Sequence, residues 1–291
     1  MDTTDDRCIR ARILPRWHDY LLSDIKTVAV EEWLSELPLA NGSKAKIRNV
    51  FHALFNHARR HEWVARNPIT LVRQSAKRRQ TPDILTTSEI RDLLSELCDP
   101  FRTMVVLAAT TGLRVSELLG LKWEDIAFTP AEIRLTRAVM DGVVGGMKTE
   151  ASRKPIPLTS ALKQLLMEWR SRTPYDQGGD WVFASPQKAG QQPYWHDSAL
   201  RRAIRPAAVR AGIRKHVGWH TFRHSFATLL KANGEDVKVV QESLRHANSR
   251  ITLDVYTQGL MASKREAQRR VVNSLLDPFG PAPAEAVVVT C

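Results

Sequence analysis

Apolar side chains recur at three- and four-residue steps through much of the chain, and between residues 132 and 158 strand-like alternation takes their place. Residues at that period line one face of an α-helix, so most of the chain is committed to helix packed on helix. In the first segment Val28, Val30, Trp33, Leu34 and Leu37 fall near one face. Ile47, Val50, Phe51, Leu54, Phe55 and Ala58 make a second stripe. Residues 37–43, Leu-Pro-Leu-Ala-Asn-Gly-Ser, break the two helices, and Asn67-Pro68 ends the second. Further on, Thr86 with Glu89 three residues later reads as a capping box, which starts a helix over 88–97. Residues 101–110 are apolar almost throughout at helical length and read as a buried helix. Strand-like alternation occupies 132–139, then 143–147 and 153–158 around a glycine-rich turn. Helical patterns return at 160–170, 197–211, 221–232, 237–244 and 262–275. The expected fold class is mainly α with a small antiparallel β-sheet.

A chain of 291 residues is long for one domain. Residues 73–82, RQSAKRRQTP, are basic, lack apolar periodicity and end at Pro82, so they read as a linker. They separate a helical domain at 1–72 from a larger one at 83–278, and residues 279–291 read as a disordered tail. Lys and Arg number 43 against 31 Asp and Glu, a net charge of +12, and the first 80 residues hold half of that excess. Such an excess favours a polyanionic partner, because each phosphate neutralised releases condensed counterions. A solvated basic surface is the plainer reading of the same total. Lys44, Lys46, Arg48, Arg59 and Arg60 on the polar face of the first domain are the candidate contacts. Lys77, Arg78 and Arg79 in the linker join them. Cys8, Cys98 and Cys291 lie far apart, which suits neither a disulfide framework nor a zinc ribbon and fits a reducing compartment. No run of about 18 apolar residues offers a membrane span, and the opening MDTTDDRCIRAR has no apolar signal core. A soluble, cytoplasmic protein with no membrane partner is expected.

Four local features carry chemistry. Thr111-Gly112-Leu113-Arg114-Val115-Ser116-Glu117 follows the buried helix, where Gly112 permits a sharp turn that aims Arg114 into a cleft; a simple Arg114–Glu117 pair is the alternative. His220-Thr221-Phe222-Arg223-His224 sets His220 and Arg223 on one helix face. His220 and His224 also have the spacing of a zinc pair, but no glutamate lies between them and no third ligand is evident, so no metal is assigned. His246, in Leu-Arg-His-Ala-Asn, follows a helix as a capping residue would. Tyr256, in Leu-Asp-Val-Tyr-Thr, taken alone reads as an amphipathic core tyrosine.

Taken together, TGLRVSELLGLKW, HTFRHSFATLL, LRH and YT resemble the tyrosine recombinase (phage integrase) family, over nearly the whole chain. The resemblance implies a helical core-binding domain followed by a catalytic domain of the DNA breaking-rejoining fold. It matches the family's signature, in order, with Arg114, Lys148, His220, Arg223, His246 and Tyr256. It also implies site-specific recombination through a 3′-phosphotyrosine, for integration, excision or resolution of DNA carried by a bacterium, a phage or a mobile element. Double-stranded DNA would be the partner. The chain would be monomeric when free and a homotetramer on paired sites, where DNA-bending accessory proteins can join it.

Those residue types suit that reaction. Tyr256 supplies a phenolic oxygen for in-line attack, conserving the bond energy in a covalent intermediate. Arg114 and Arg223 are guanidinium forks that stay charged and can hold the nonbridging oxygens. They give the service a divalent ion gives elsewhere, so no cofactor and no metal are expected. The resemblance assigns protonation of the 5′ leaving oxygen to Lys148, on a β-hairpin whose second strand would be Arg153–Leu158, with Lys154 as the competing lysine. His220 would assist proton transfer at Tyr256, His246 would hold a nonbridging oxygen, and Glu117 would orient the arginine. Two departures stand out: Leu-Arg-His replaces the common Leu-Gly-His, and the first domain looks short of a helix ahead of Leu14. A type IB topoisomerase-like nickase and a DNA-binding protein that has lost catalysis are the competing functions.

Overall fold

The structure, a computed structural model, describes residues 3–75, 82–147 and 150–245. The expected helix at 262–275, the tail and the middle of the linker lie outside them. The chain divides between Thr81 and Pro82 into two compact units.

In the first unit α1 (Thr3–Cys8) runs through a π-helical turn (Ile9–Ile13) into α2 (Leu14–Trp17). Leu14 therefore continues a helix already under way. Two longer helices follow, α3 (Thr27–Glu36) and α4 (Asn41–Arg60). Both apolar stripes turn inward: Val30, Trp33, Leu34, Ile47, Val50, Phe51, Phe55 and Ala58 are buried. Trp17 and Trp33 meet edge-on at 5.7 Å, and Phe51 and Phe55 at 5.3 Å, so aromatic rings dominate this core. Val28 departs from its stripe and is 62% exposed, one residue into the helix where the first turn faces out.

The ends of α4 differ from the sequence expectation. Asn41-Gly42-Ser43, read as part of the break, forms its first turn, with Ala40 as the N-cap. The helix stops at Arg60, well before Asn67-Pro68. Glu62 takes a left-handed φ of +60°, its N–H donates to the Arg59 carbonyl at 3.1 Å, and the Trp63 N–H donates to Ala58 at 3.0 Å. That is a Schellman stop built on glutamate in place of the usual glycine. Asn67 instead caps a 3₁₀ turn, Pro68–Leu71, accepting from the Ile69 N–H at 2.9 Å.

The second unit begins with α5 (Thr87–Ser95), whose capping box is complete: Thr86 Oγ1 accepts from the Glu89 N–H, and the Glu89 carboxylate accepts from the Thr86 N–H. Then come α6 (Phe101–Thr111) and the short α7 (Val115–Leu119). The β-interval holds β1 (Ile126–Ala127), β2 (Glu132–Ile133), β3 (Arg137–Met140), β4 (Val143–Gly146) and β5 (Ile156–Pro157). These form two antiparallel sheets: a three-stranded one in the order β1-β2-β5 and the β3–β4 hairpin.

The stretch 132–139 is thus two strands in two sheets, split by a buried carboxylate. Asp125 accepts from Thr136 Oγ1 at 2.9 Å and from Arg137 Nη1 at 2.6 Å, and its backbone carbonyl accepts from the Arg134 N–H at 2.9 Å. The chain bends around Asp125 to reach it. Ile156–Pro157 pairs with β2, so the 153–158 stretch is not the second strand of the hairpin.

Helices α8 (Ser160–Arg172), α9 (His196–Ala199), a π-helical turn (Leu200–Ile204), α10 (Arg205–Arg210), α11 (Trp219–Ala232) and α12 (Val237–Ser243) follow among the described residues. The core gathers Met104, Leu107, Leu113, Leu118, Trp123 and Phe222, with α6 packed on α11. Gly120 lets the end of α7 lie against β3, where a Cβ would meet the Arg137 carbonyl oxygen at 2.7 Å. No helix among the described residues is long and apolar enough to cross a membrane.

Candidate active site

Gly112 closes α6 in the left-handed region at φ +61°, turning the chain so that Arg114 becomes the N-cap of α7. Glu117, at the third helical position, reaches back. Its Oε2 accepts from the Arg114 N–H at 3.0 Å and its Oε1 from Arg114 Nη1 at 2.6 Å. The turn and the arginine–glutamate pair therefore coexist. The Arg114 side chain keeps 37% of its exposure, whereas that of Glu117 keeps 3%.

Arg223 comes from the buried face of α11 and is 6% exposed. It donates Nη1 to the Gly112 carbonyl and Nη2 to the Leu244 carbonyl, bridging the turn before Arg114 to the end of α12. His220 lies one turn earlier on α11 and is exposed. Its ring centroid is 6.3 Å from that of His224.

Arg245, just beyond α12, is 3% exposed and donates Nη2 to Glu117 Oε2 at 2.9 Å. The sequence marks this arginine only as a departure from Leu-Gly-His, outside the expected site. The signal available was the arginine in a Leu-x-His block where glycine is common.

One carboxylate thus stands among three guanidinium groups. Burial alone would raise the Glu117 carboxyl, but Arg245 and Arg114 outweigh it and hold the group below its ordinary range. Burial, together with Arg114 and Arg245, pushes Arg223 down to about 9, an effect that Glu117 only partly offsets. Arg223 remains charged at neutral pH, and the cluster carries more positive charge than one carboxylate balances. An incoming anion would find preorganised, poorly solvated donors.

Lys148, His246 and Tyr256 lie outside the described residues, as do Lys77, Arg78 and Arg79. Lys154 is exposed. In the first unit Lys46, Arg59 and Arg60 are exposed on α4. Lys44 instead donates to the Ser35 carbonyl at 2.7 Å near the end of α3, and Arg48 reaches the Thr70 carbonyl at 3.3 Å.

The fold has counterparts among solved structures. The chain superimposes on the Tn1549 transposon integrase, solved with transposon right end DNA, at a TM-score of 0.71 and 21% identity, covering 92% of each chain. It matches XerH site-specific recombinase, solved on a palindromic difH substrate, at 0.64 and 22%, covering 91% of this chain and 77% of that one. This is the fold of the DNA-recombining integrases. In sequence, the phage integrase family model matches residues 83–262. A tyrosine recombinase of Pseudothermotoga lettingae is 31% identical over 269 residues, 89% of this chain and 85% of that protein. The tyrosine recombinase XerD of Corynebacterium glutamicum is 30% identical, over 85% of this chain and 83% of its own length. The chain belongs to the phage integrase family, the tyrosine recombinases.

Proposed function

We propose that the chain is a site-specific recombinase that cleaves and rejoins double-stranded DNA through a 3′-phosphotyrosine on Tyr256. The observation that carries this reading is the excess of buried guanidinium charge around Glu117, at the meeting of the 112–117 turn, α11 and the end of α12. A phosphodiester gains negative charge on its nonbridging oxygens during attack, and Arg114 and Arg223 are the groups to hold it. Tyr256 Oη forms the new bond to phosphorus as the bond to the 5′ oxygen breaks. His220 accepts the phenolic proton, and Lys148 gives a proton to the departing oxygen. Rejoining reverses the sequence with a 5′ hydroxyl, which in strand exchange comes from the second duplex. The guanidiniums supply the charge stabilisation, so turnover is expected without added divalent ions. Lys46, Arg59 and Arg60 would track the DNA backbone, with Lys77, Arg78 and Arg79 extending the basic path. Two domains spanning 1–72 and 83–278 would hold the duplex, and exchange between paired sites would proceed in a homotetramer.

The test is a suicide duplex bearing a nick beside the scissile phosphate. Wild type should trap a denaturant-stable protein–DNA adduct in the presence of a chelator, and Y256F should bind the same DNA and form none. An adduct that persists in Y256F would remove Tyr256 from the reaction, and loss of the wild-type adduct on chelation would overturn the metal-free reading.

A further inference from the structure

Arg245 is held in a way that stability alone does not require. Its backbone lies in the left-handed region at φ +52°, where a side chain other than glycine costs on the order of 1 kcal/mol. Four other described residues that are not glycine share a positive φ, namely Glu62, Ala131, Asp141 and Ala189, and none of them is buried. Arg245 is buried, and its Nε has no hydrogen-bond partner among the described residues. A buried donor without a partner carries its full desolvation cost. Burial and the nearby Arg114 also disfavour its charge, with only Glu117 opposing them. A glycine would relieve all of these at once.

The compensation lies in what Arg245 connects. Its Nη1 donates to the Ser243 carbonyl at 3.1 Å, which fixes the guanidinium against the end of α12, and its Nη2 holds Glu117 Oε2. Glu117 Oε1 is then committed to Arg114 Nη1. With one oxygen pinned from each side, the carboxylate cannot turn, and Arg114 is presented at a fixed angle. Arg223 makes a parallel tie between the same two segments through Gly112 and Leu244.

We propose that Arg245 is a positioning residue for the phosphate clamp, acting through Glu117 to fix Arg114. It replaces with a buried ion pair the freedom that glycine gives at this place in the Leu-x-His block. The inference rests on the reading of the function given above for its catalytic consequence, and on geometry alone for its hold on Glu117. Among the described residues the charged groups facing Glu117 are Arg114, Arg223 and Arg245.

Two measurements test it. The first follows the Glu117 side-chain carboxyl by ¹³C NMR titration of the free protein. R245G removes a cation while burial still opposes charge, so the Glu117 titration should move to higher pH, and R245K should hold it near the wild-type position. An unmoved titration in R245G would overturn the proposal whether or not the protein cleaves DNA.

The second is single-turnover cleavage of the suicide duplex by wild type, R245G, E117Q and the double variant. R245G, whose glycine suits the backbone, should bind DNA within about threefold of wild type and cleave at least tenfold more slowly. The double variant should be no slower than E117Q alone, because both changes remove one linkage. R245K, which keeps a cation on Glu117, should cleave within about fivefold of wild type and serves if R245G proves unstable. Independent, multiplying effects, or an R245K as slow as R245G, would overturn the proposal. A shifted titration together with a wild type that never forms an adduct would instead sink the recombinase reading and leave the role of Arg245 on Glu117 standing.

Discussion

Glu117→Gln should damage the second unit far more than the loss of one charge on a surface would. Glu117 is 2% exposed, and its carboxylate accepts three hydrogen bonds, two from Arg114 and one from Arg245. A glutamine has one acceptor oxygen, and its amide would set donors against guanidinium donors. Removing one partner of a buried ion pair costs about 3–5 kcal/mol, because the other charge stays desolvated. The Arg114 arm is partly screened, with 37% of its side chain exposed, whereas the Arg245 side chain keeps only 2%, so the lower end, about 3 kcal/mol, applies. For a unit of this size 1 kcal/mol moves the midpoint by about 2–4 °C, which puts the fall in Tm at about 6–12 °C by calorimetry. The effect should also depend on pH. The Glu117 carboxyl titrates below its ordinary 4.5 in the folded protein, so its stabilisation is present above pH 4.5 and is lost as pH falls through the lower folded value. The gap between wild type and E117Q should therefore narrow in acid. A variant melting within 2 °C of wild type at pH 7, or a gap that widens as pH falls, would refute the argument that Glu117 holds the arginines together.

Two further substitutions separate the scaffold from the chemistry. Gly112→Ala should lower stability by about 2–4 kcal/mol in urea unfolding, because the new Cβ at φ +61° would meet Phe226 at 2.7 Å and Leu244 at 2.9 Å; a loss below 1 kcal/mol would mean that the turn relaxes freely. Arg223→Lys keeps a charge but cannot span the Gly112 and Leu244 carbonyls, so adduct formation should fall by about 10²–10³ while DNA affinity changes little; an equal loss in both would place Arg223 in binding alone.

Where local chemistry decides the backbone, the sequence can be read directly. The Thr86–Glu89 capping box, the buried run from Phe101 and the sharp turn at Gly112 each depend on neighbours within a few residues, and each stands where the sequence puts it. The end of α4 could not be read the same way. A glutamate at the left-handed position of a Schellman stop gives no signal comparable to glycine, and the nearest visible breaker, Asn67-Pro68, lies beyond the true end. The split of 132–139 was hidden for another reason. It is imposed by Asp125, a carboxylate earlier in the chain whose burial cannot be inferred from alternation in the strands that it divides.

The site shows the same division more sharply. The Arg114–Glu117 pair is legible because a three-residue spacing along a turn brings the two together, and His220 and Arg223 share α11 at the same spacing. What spacing could not show is that Arg223 is spent partly on two backbone carbonyls, and that Glu117 is shared with a residue 128 positions away. Residue type alone would rank Arg245 as one more surface cation in a chain with net charge +12. Its left-handed backbone and its burial remove it from that population, since an arginine is neither at ease in that conformation nor cheaply desolvated. A clamp that must hold a phosphate tightly has to keep its cations dry and close together, which destabilises the empty protein. In this chain Glu117 offsets that repulsion, and Arg245 determines which way Glu117 faces while it does so. Arg245 in the Leu-x-His block therefore bears on the angle of Arg114, more than a hundred positions earlier in the sequence.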